Sequence, residues 1–247
     1  MDFIQIALVG LGFLIAGVVK GATGLGYSTS ALPVLTLAVG LHTAMPLVLF
    51  PSLASNFTVM VGAGHFRAIL RRFLWLYLAL LPGLGLGLVL LLRIDQDVAA
   101  SVLGLVIIGY CAFAFWQPAL RLADRLERPL QIPVGLVNGL INGLTGSQIV
   151  PLVPFMLSLR LDADRFVQAV NIGFTLSSLV MVAGLSQAGL LNGTTLLISV
   201  AGILPAILGS WLGGRLRRRL PEAKFRLVVL GVLMVLGAVL VSQLLSR

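Results

Sequence analysis

The amino-acid sequence predicts an all-α, polytopic membrane protein built from two inverted repeats of about five helical segments each, and three observations carry that prediction. Of the 247 residues 59% are hydrophobic and 10% charged, at a mean hydropathy of +1.09, against about 25% charged in an ordinary soluble domain. Apolar segments follow one another so closely that the longest stretch without one, 117–130, falls far short of the ~50 residues a small domain needs. Short motifs also recur in the same order in both halves. At roughly 20 apolar residues per crossing the chain has room for about 10 to 12 crossings, which excludes a soluble enzyme or an appended soluble domain.

The apolar segments fall near 3–20, 29–41, 44–63, 73–92, 98–116, 131–144, 148–159, 166–185, 190–213 and 225–245. The first starts directly after Met1 and Asp2, with neither a basic start nor a small-residue cleavage site, and so reads as a helix and not a removed signal. The second and seventh are too short to cross. Thirteen helical residues span about 20 Å, against a hydrocarbon thickness of roughly 30 Å, so each is expected to enter as a half-helix beside its predecessor. The other segments are long enough to span, or pair with these short ones.

The repeat is read from four matches. Gly21-Ala22-Thr23-Gly24 followed by Pro33 parallels Gly143-Leu144-Thr145-Gly146 followed by Pro154. Leu81-Pro82 parallels Leu204-Pro205, Gly83 with Gly87 parallels Gly209 with Gly213, and Leu103-Gly104 parallels Leu230-Gly231. The offset drifts only from 121 (Pro33 to Pro154) to 127 (Leu103 to Leu230). This divides the chain into a first membrane repeat, 1–118, a cytoplasmic loop, 119–129, and a second membrane repeat, 130–247. Five segments per unit is an odd number, so the copies are expected to lie inverted, with broken or short helices meeting near the midplane.

Charge sets the orientation. The net charge is +9, and one set of loops holds Arg67, Arg71, Arg72, Arg121, Arg125, Arg128, Arg160, Arg165, Arg215, Arg217, Arg218, Arg219, Lys224 and Arg226, fourteen of the 17 basic residues. Arg93 and Arg247 fall on the other side, and Lys20 within the membrane. Cytoplasmic loops concentrate Lys and Arg, so both termini are expected outside the cytoplasm and the basicity needs no nucleic-acid partner. Trp75, Trp116 and Trp211 fall near the cytoplasmic ends of their segments, where indoles favour the interface.

The chemistry is expected at the breaks marked by Gly21, Gly24 and Gly26 in the first repeat and by Gly143 and Gly146 in the second. A backbone leaving the helix at membrane depth must face protein or a water-filled cavity, so a cavity is expected there. Ser28-Thr29-Ser30 and Ser147-Gln148 are expected to open the half-helices, directing backbone N–H groups, hydroxyls and positive dipole ends to one anion site, or else to cap the helices. Lys20 is the only ionisable residue clearly within an apolar segment; a Lys at that depth costs roughly 2.5 to 3.5 kcal/mol and needs a partner. A substrate anion would supply one, while snorkelling to the surface is the alternative. Thr23, Thr145, Asn56, Asn142 and Asn171 complete the candidate set, amides in apolar segments serving either to bond across helices or to line a path.

Other residues carry less. Gly83, Gly87, Gly209 and Gly213 suit close helix packing, and Cys111, alone, suits packing too. His42 and His65 stand apart at segment ends without metal-ligand spacing, so no metal, cofactor or catalytic residue is expected. The sequons at Asn56 and Asn192 read as chance.

These motifs resemble the TauE/SafE family of membrane transporters, the sulfite and organosulfonate exporter-like family. The features are Gly21-Ala22-Thr23-Gly24-Leu25-Gly26 before Pro33, Gly143-Leu144-Thr145-Gly146 before Pro154, and the two Leu-Pro/glycine helices. Ala22 and Thr23 interrupt a glycine cluster that family members commonly carry denser. The resemblance covers essentially the whole chain and implies a multi-pass transporter of the bacterial plasma membrane handling small sulfur-containing anions. The expected function is therefore a secondary transporter or facilitator that exports sulfite, a sulfonate or a related oxyanion, its partners that anion and the lipid bilayer. A non-transporting membrane scaffold is the first alternative. An intramembrane enzyme is the second, though the sequence shows no Gly-x-Ser-x-Gly and no His-Glu-x-x-His.

Overall fold

The computed structural model describes residues 3–23, 26–116, 121–217 and 222–245. Its regular elements there are all helices: α1 (Phe3–Thr23), α2 (Tyr27–Val39), α3 (Leu41–Gly62), α4 (Phe66–Arg72), α5 (Leu74–Leu91), α6 (Gln96–Trp116), α7 (Asp124–Thr145), α8 (Leu152–Leu157), α9 (Ala163–Gln187), α10 (Gly193–Ala201), α11 (Ile203–Arg217) and α12 (Glu222–Leu245). Among the described residues, α1, α3, α5, α6, α9 and the α10–α11 pair are long and apolar enough to cross a membrane, making this an all-α, multi-pass membrane protein. Gly24, Arg218, Arg219 and Arg247 lie outside the described residues, as do the side chains of Arg217, Lys224 and Arg226.

Three segment boundaries differ from the sequence reading. The stretch 64–72 forms α4 instead of a plain loop, and 119–129 is not all loop, because α7 already begins at Asp124. Their arginines hide amphipathic helices from a search for apolar runs. Arg72 donates from Nε and Nη2 to the Glu127 carboxylate at 2.7 and 2.8 Å, tying α4 to α7. That hydrogen bond is the main cause raising the Arg72 pKa above its usual value. The apolar run 190–213 divides at Gly202 into α10 and α11. A Cβ at Gly202 would run into the Phe13 ring, so glycine is what lets α1 approach there. Asn192 opens α10 in a reciprocal capping box with Thr195.

The largest helix contacts pair α5 with α7, α1 with α11, α6 with α12 and α3 with α9. Without a hydrophobic driving force between helices, association in lipid rests on close van der Waals contact through small residues. Gly17 and Gly21 of α1 face Gly209 and Ser210 of α11, while Gly139 and Gly143 of α7 face Gly83 and Gly87 of α5. A Cβ on Gly21 would strike the Ser210 carbonyl, and one on Gly143 would strike that of Leu84. Both glycines were expected at helix breaks, yet both lie inside a helix, where their lack of a side chain serves packing. Proline is accommodated by substitution of partners: Pro51 has no N–H for the Leu47 carbonyl, and the Ser199 hydroxyl donates to that carbonyl at 2.7 Å.

Candidate functional site

Among the described residues the breaks include Gly26 and Gly146, whose φ values of 81° and 75° are left-handed and favour glycine because a Cβ would crowd the following carbonyl. After Gly26 the chain turns directly into α2, the Ser30 N–H donating to the Gly26 carbonyl at 2.9 Å. After Gly146 it runs without helix until α8. Ser147 and Gln148 are thus not the first residues of a half-helix, as expected, but belong to this irregular segment. Pro151 works against an earlier helix start there, lacking the N–H that would close a first turn. Asn138 holds the segment, its Nδ2 donating to the carbonyls of Gln148 and Val150 at 3.0 Å each.

Beside the breaks, α3 and α9 bring a buried polar network together. The Lys20 ammonium, with its residue 3% exposed, donates to Asn56 Oδ1 at 2.9 Å and Asn171 Oδ1 at 3.2 Å. Asn56 Nδ2 donates to Ser52 Oγ at 3.2 Å and to Gln148 Oε1 at 3.4 Å. Gln148 Nε2 donates to Ser178 Oγ at 3.0 Å, and the hydroxyls of Ser28 and Ser52 share a 2.8 Å hydrogen bond. Lys20 does not snorkel. Among the described residues no carboxylate lies within ion-pair distance of it, and its acceptors are two neutral amides.

The candidate set thus divides. Lys20, Ser28, Asn56, Gln148 and Asn171 are joined in this network, and Asn142 lines a small void beside it together with Ser28, Ser52, Gln148 and Ser178. Asn142 Nδ2, Ser147 Oγ and Thr29 Oγ1 are buried and have no hydrogen-bond partner among the described residues. Thr145 is buried but serves the break: its hydroxyl donates to the Ile141 carbonyl at 2.6 Å and accepts from the Ser147 N–H at 3.2 Å. Thr23 stands outside the buried set, exposed, its hydroxyl donating to the Val19 carbonyl at 2.8 Å. Ser52 and Ser178 escaped the sequence reading, although Ser52 lies one helical turn before Asn56 and Ser178 two turns after Asn171, positions that share a face.

The expected cavity is reduced to a void of about 10 Å³, enough for one water at most, since a single water needs about 10–15 Å³ by this measure. Its walls are polar toward Ser52, Asn142, Gln148 and Ser178 and apolar toward Leu32, Met45, Leu49, Met181 and Leu185. A larger groove of about 520 Å³ lies elsewhere and is lined almost entirely by apolar side chains. The polar side chains thus gather at the small void and not in the groove.

The chain is a member of the Sulfite exporter TauE/SafE family, whose model matches residues 8–240. No curated protein and no solved structure matches it.

Proposed function

We propose that this protein exports a small sulfur-containing oxyanion, such as sulfite or a short sulfonate, across the plasma membrane of a bacterial cell. The observation that carries the reading is Lys20, buried with amide oxygens as its only acceptors among the described residues. A buried cation gains most from an opposite charge that also accepts its hydrogen bonds. An oxyanion supplies both. It would replace the carbonyls of Asn56 and Asn171 on the ammonium, and those amides, rotated, would present their NH₂ groups. Asn142 Nδ2, already unpartnered at the void, is a further donor.

The void is too small for sulfite, so the described conformation is read as occluded, and entry requires the walls to part. The two halves, 1–118 and 130–247, are proposed to be inverted copies that rock about the site. Supporting this, α1–α11 and α5–α7 are the contacts that exchange when the first six helices are swapped for the last six, while α3–α9 and α6–α12 map onto themselves. The arginine distribution favours both termini outside the cytoplasm. Outward movement of an anion is driven by the inside-negative potential and needs no coupled proton.

The test is transport current on a solid-supported membrane carrying the reconstituted protein, with sulfite, sulfate, thiosulfate, a short sulfonate, acetate and chloride presented in turn. Currents for one or two of the sulfur oxyanions, abolished in Lys20→Gln, are expected. Currents of equal size in the folded variant would remove Lys20 from the site, and silence to every anion in current and tracer assays alike would favour a scaffold.

A further inference from the structure

The 520 Å³ groove is within the size range of ligand sites, about 300 to 1,000 Å³, but its chemistry is wrong for the anion. It runs between α3, α4 and α9, with Phe57, Phe66, Leu70, Leu176 and Thr175 among its walls. Phe57 and Phe66 are exposed, so it opens at the protein's surface, and none of the network's residues lines it. In α4, Phe66 and Leu70 are one turn apart and line the groove. Arg67 and Arg71, also one turn apart, occupy the adjoining face and are exposed. No ion pair to either arginine forms among the described residues, whereas Arg72, next to them, is engaged by Glu127. Trp75, just beyond α4 and 60% exposed, is the residue type that marks the membrane–water interface. The result is an apolar slot walled partly by α4, whose adjoining face carries two exposed guanidinium groups that form no ion pair among the described residues.

We propose that this groove holds one acyl chain of an anionic phospholipid, with the lipid phosphate bound by Arg67 and Arg71. Guanidinium groups a turn apart match a phosphate's several acceptor oxygens. The slot then immobilises a lipid beside α3 and α9, the helices that carry Asn56 and Asn171. The proposal does not depend on which anion is transported.

The experiment is a titration of the delipidated full chain in detergent with phosphatidylglycerol and, separately, phosphatidylcholine of the same acyl chains, read by native mass spectrometry. Wild type is expected to bind phosphatidylglycerol on the order of 10- to 30-fold more tightly. The double variant Arg67→Gln with Arg71→Gln, altered only at exposed positions, is expected to lose that preference while keeping its fold. Ala54→Trp, which fills the groove, is expected to weaken both lipids. Equal binding of the two lipids by wild type, or a preference that survives the double variant, would overturn the proposal. A wild-type dimer that Ala54→Trp converts to monomer would overturn it as well, by showing that a second copy occupies the groove.

Discussion

The two breaks begin alike and end differently. Each contains a left-handed glycine, Gly26 or Gly146, but from that glycine the first leads straight into a 13-residue helix and the second into an irregular segment and a six-residue one. Their contributions to the site differ in the same way. The first half supplies Lys20, the Asn56 amide and the hydroxyls of Ser28 and Ser52, while the second supplies three amides, Asn142, Gln148 and Asn171, and the Ser178 hydroxyl. The recurring Gly-x-Thr-Gly motif thus lies beside each break but does not fix what the chain does next. That depends on whether the following residues can donate the N–H groups that close a first helical turn: Ser30 does so to the Gly26 carbonyl, and Pro151 has no N–H to give.

If the charge resides in one half, the largest functional loss comes from that half. Lys20→Gln is expected to reduce sulfite current at least 100-fold, and Gln148→Ala on the order of tenfold, since charge-assisted hydrogen bonds are worth roughly twice neutral ones. Equal losses on the solid-supported membrane would erase the asymmetry. The helix-packing glycines, by contrast, are expected to behave alike in the two halves. Gly143→Leu and Gly213→Leu each drive a side chain into a facing backbone carbonyl, and overpacking of this kind costs about 1–3 kcal/mol or more. Similar falls in denaturation midpoint are expected, and a fall confined to one of them would break the parallel.

The breaks give a finer contrast. Gly26→Ala and Gly146→Ala both incur about 1–2 kcal/mol of left-handed strain, but only at Gly146 would the new Cβ press on a neighbour, Leu32 Cδ1 at 2.9 Å. Thermal unfolding is expected to show the larger loss for Gly146→Ala. The smallest effect is assigned to Ser199→Ala, which leaves the Leu47 carbonyl without its donor and costs about 1 kcal/mol by the same measurement.

Much of this was legible in the sequence. Long apolar runs announce spanning helices because lipid leaves no other way to satisfy the backbone. Lys20, Asn56 and Asn171 stand out because polar groups are expensive there, and the structure joins all three. Gly21 and Gly143 were misleading because glycine serves a helix break and a close helix contact equally well, and only the facing helix, α11 or α5, distinguishes them. Ser52 and Ser178 were invisible singly, since one hydroxyl in an apolar helix usually bonds its own backbone. The short α4 was masked by its arginines.

The central claim is that an oxyanion balances the charge of Lys20. Calorimetric titration of sulfite into detergent-solubilised wild type and Lys20→Gln tests it directly. The account predicts that affinity falls at least tenfold in the variant, as loss of a charge-assisted hydrogen bond of about 1.5–3 kcal/mol requires. Undiminished sulfite binding by a folded Lys20→Gln protein would contradict it.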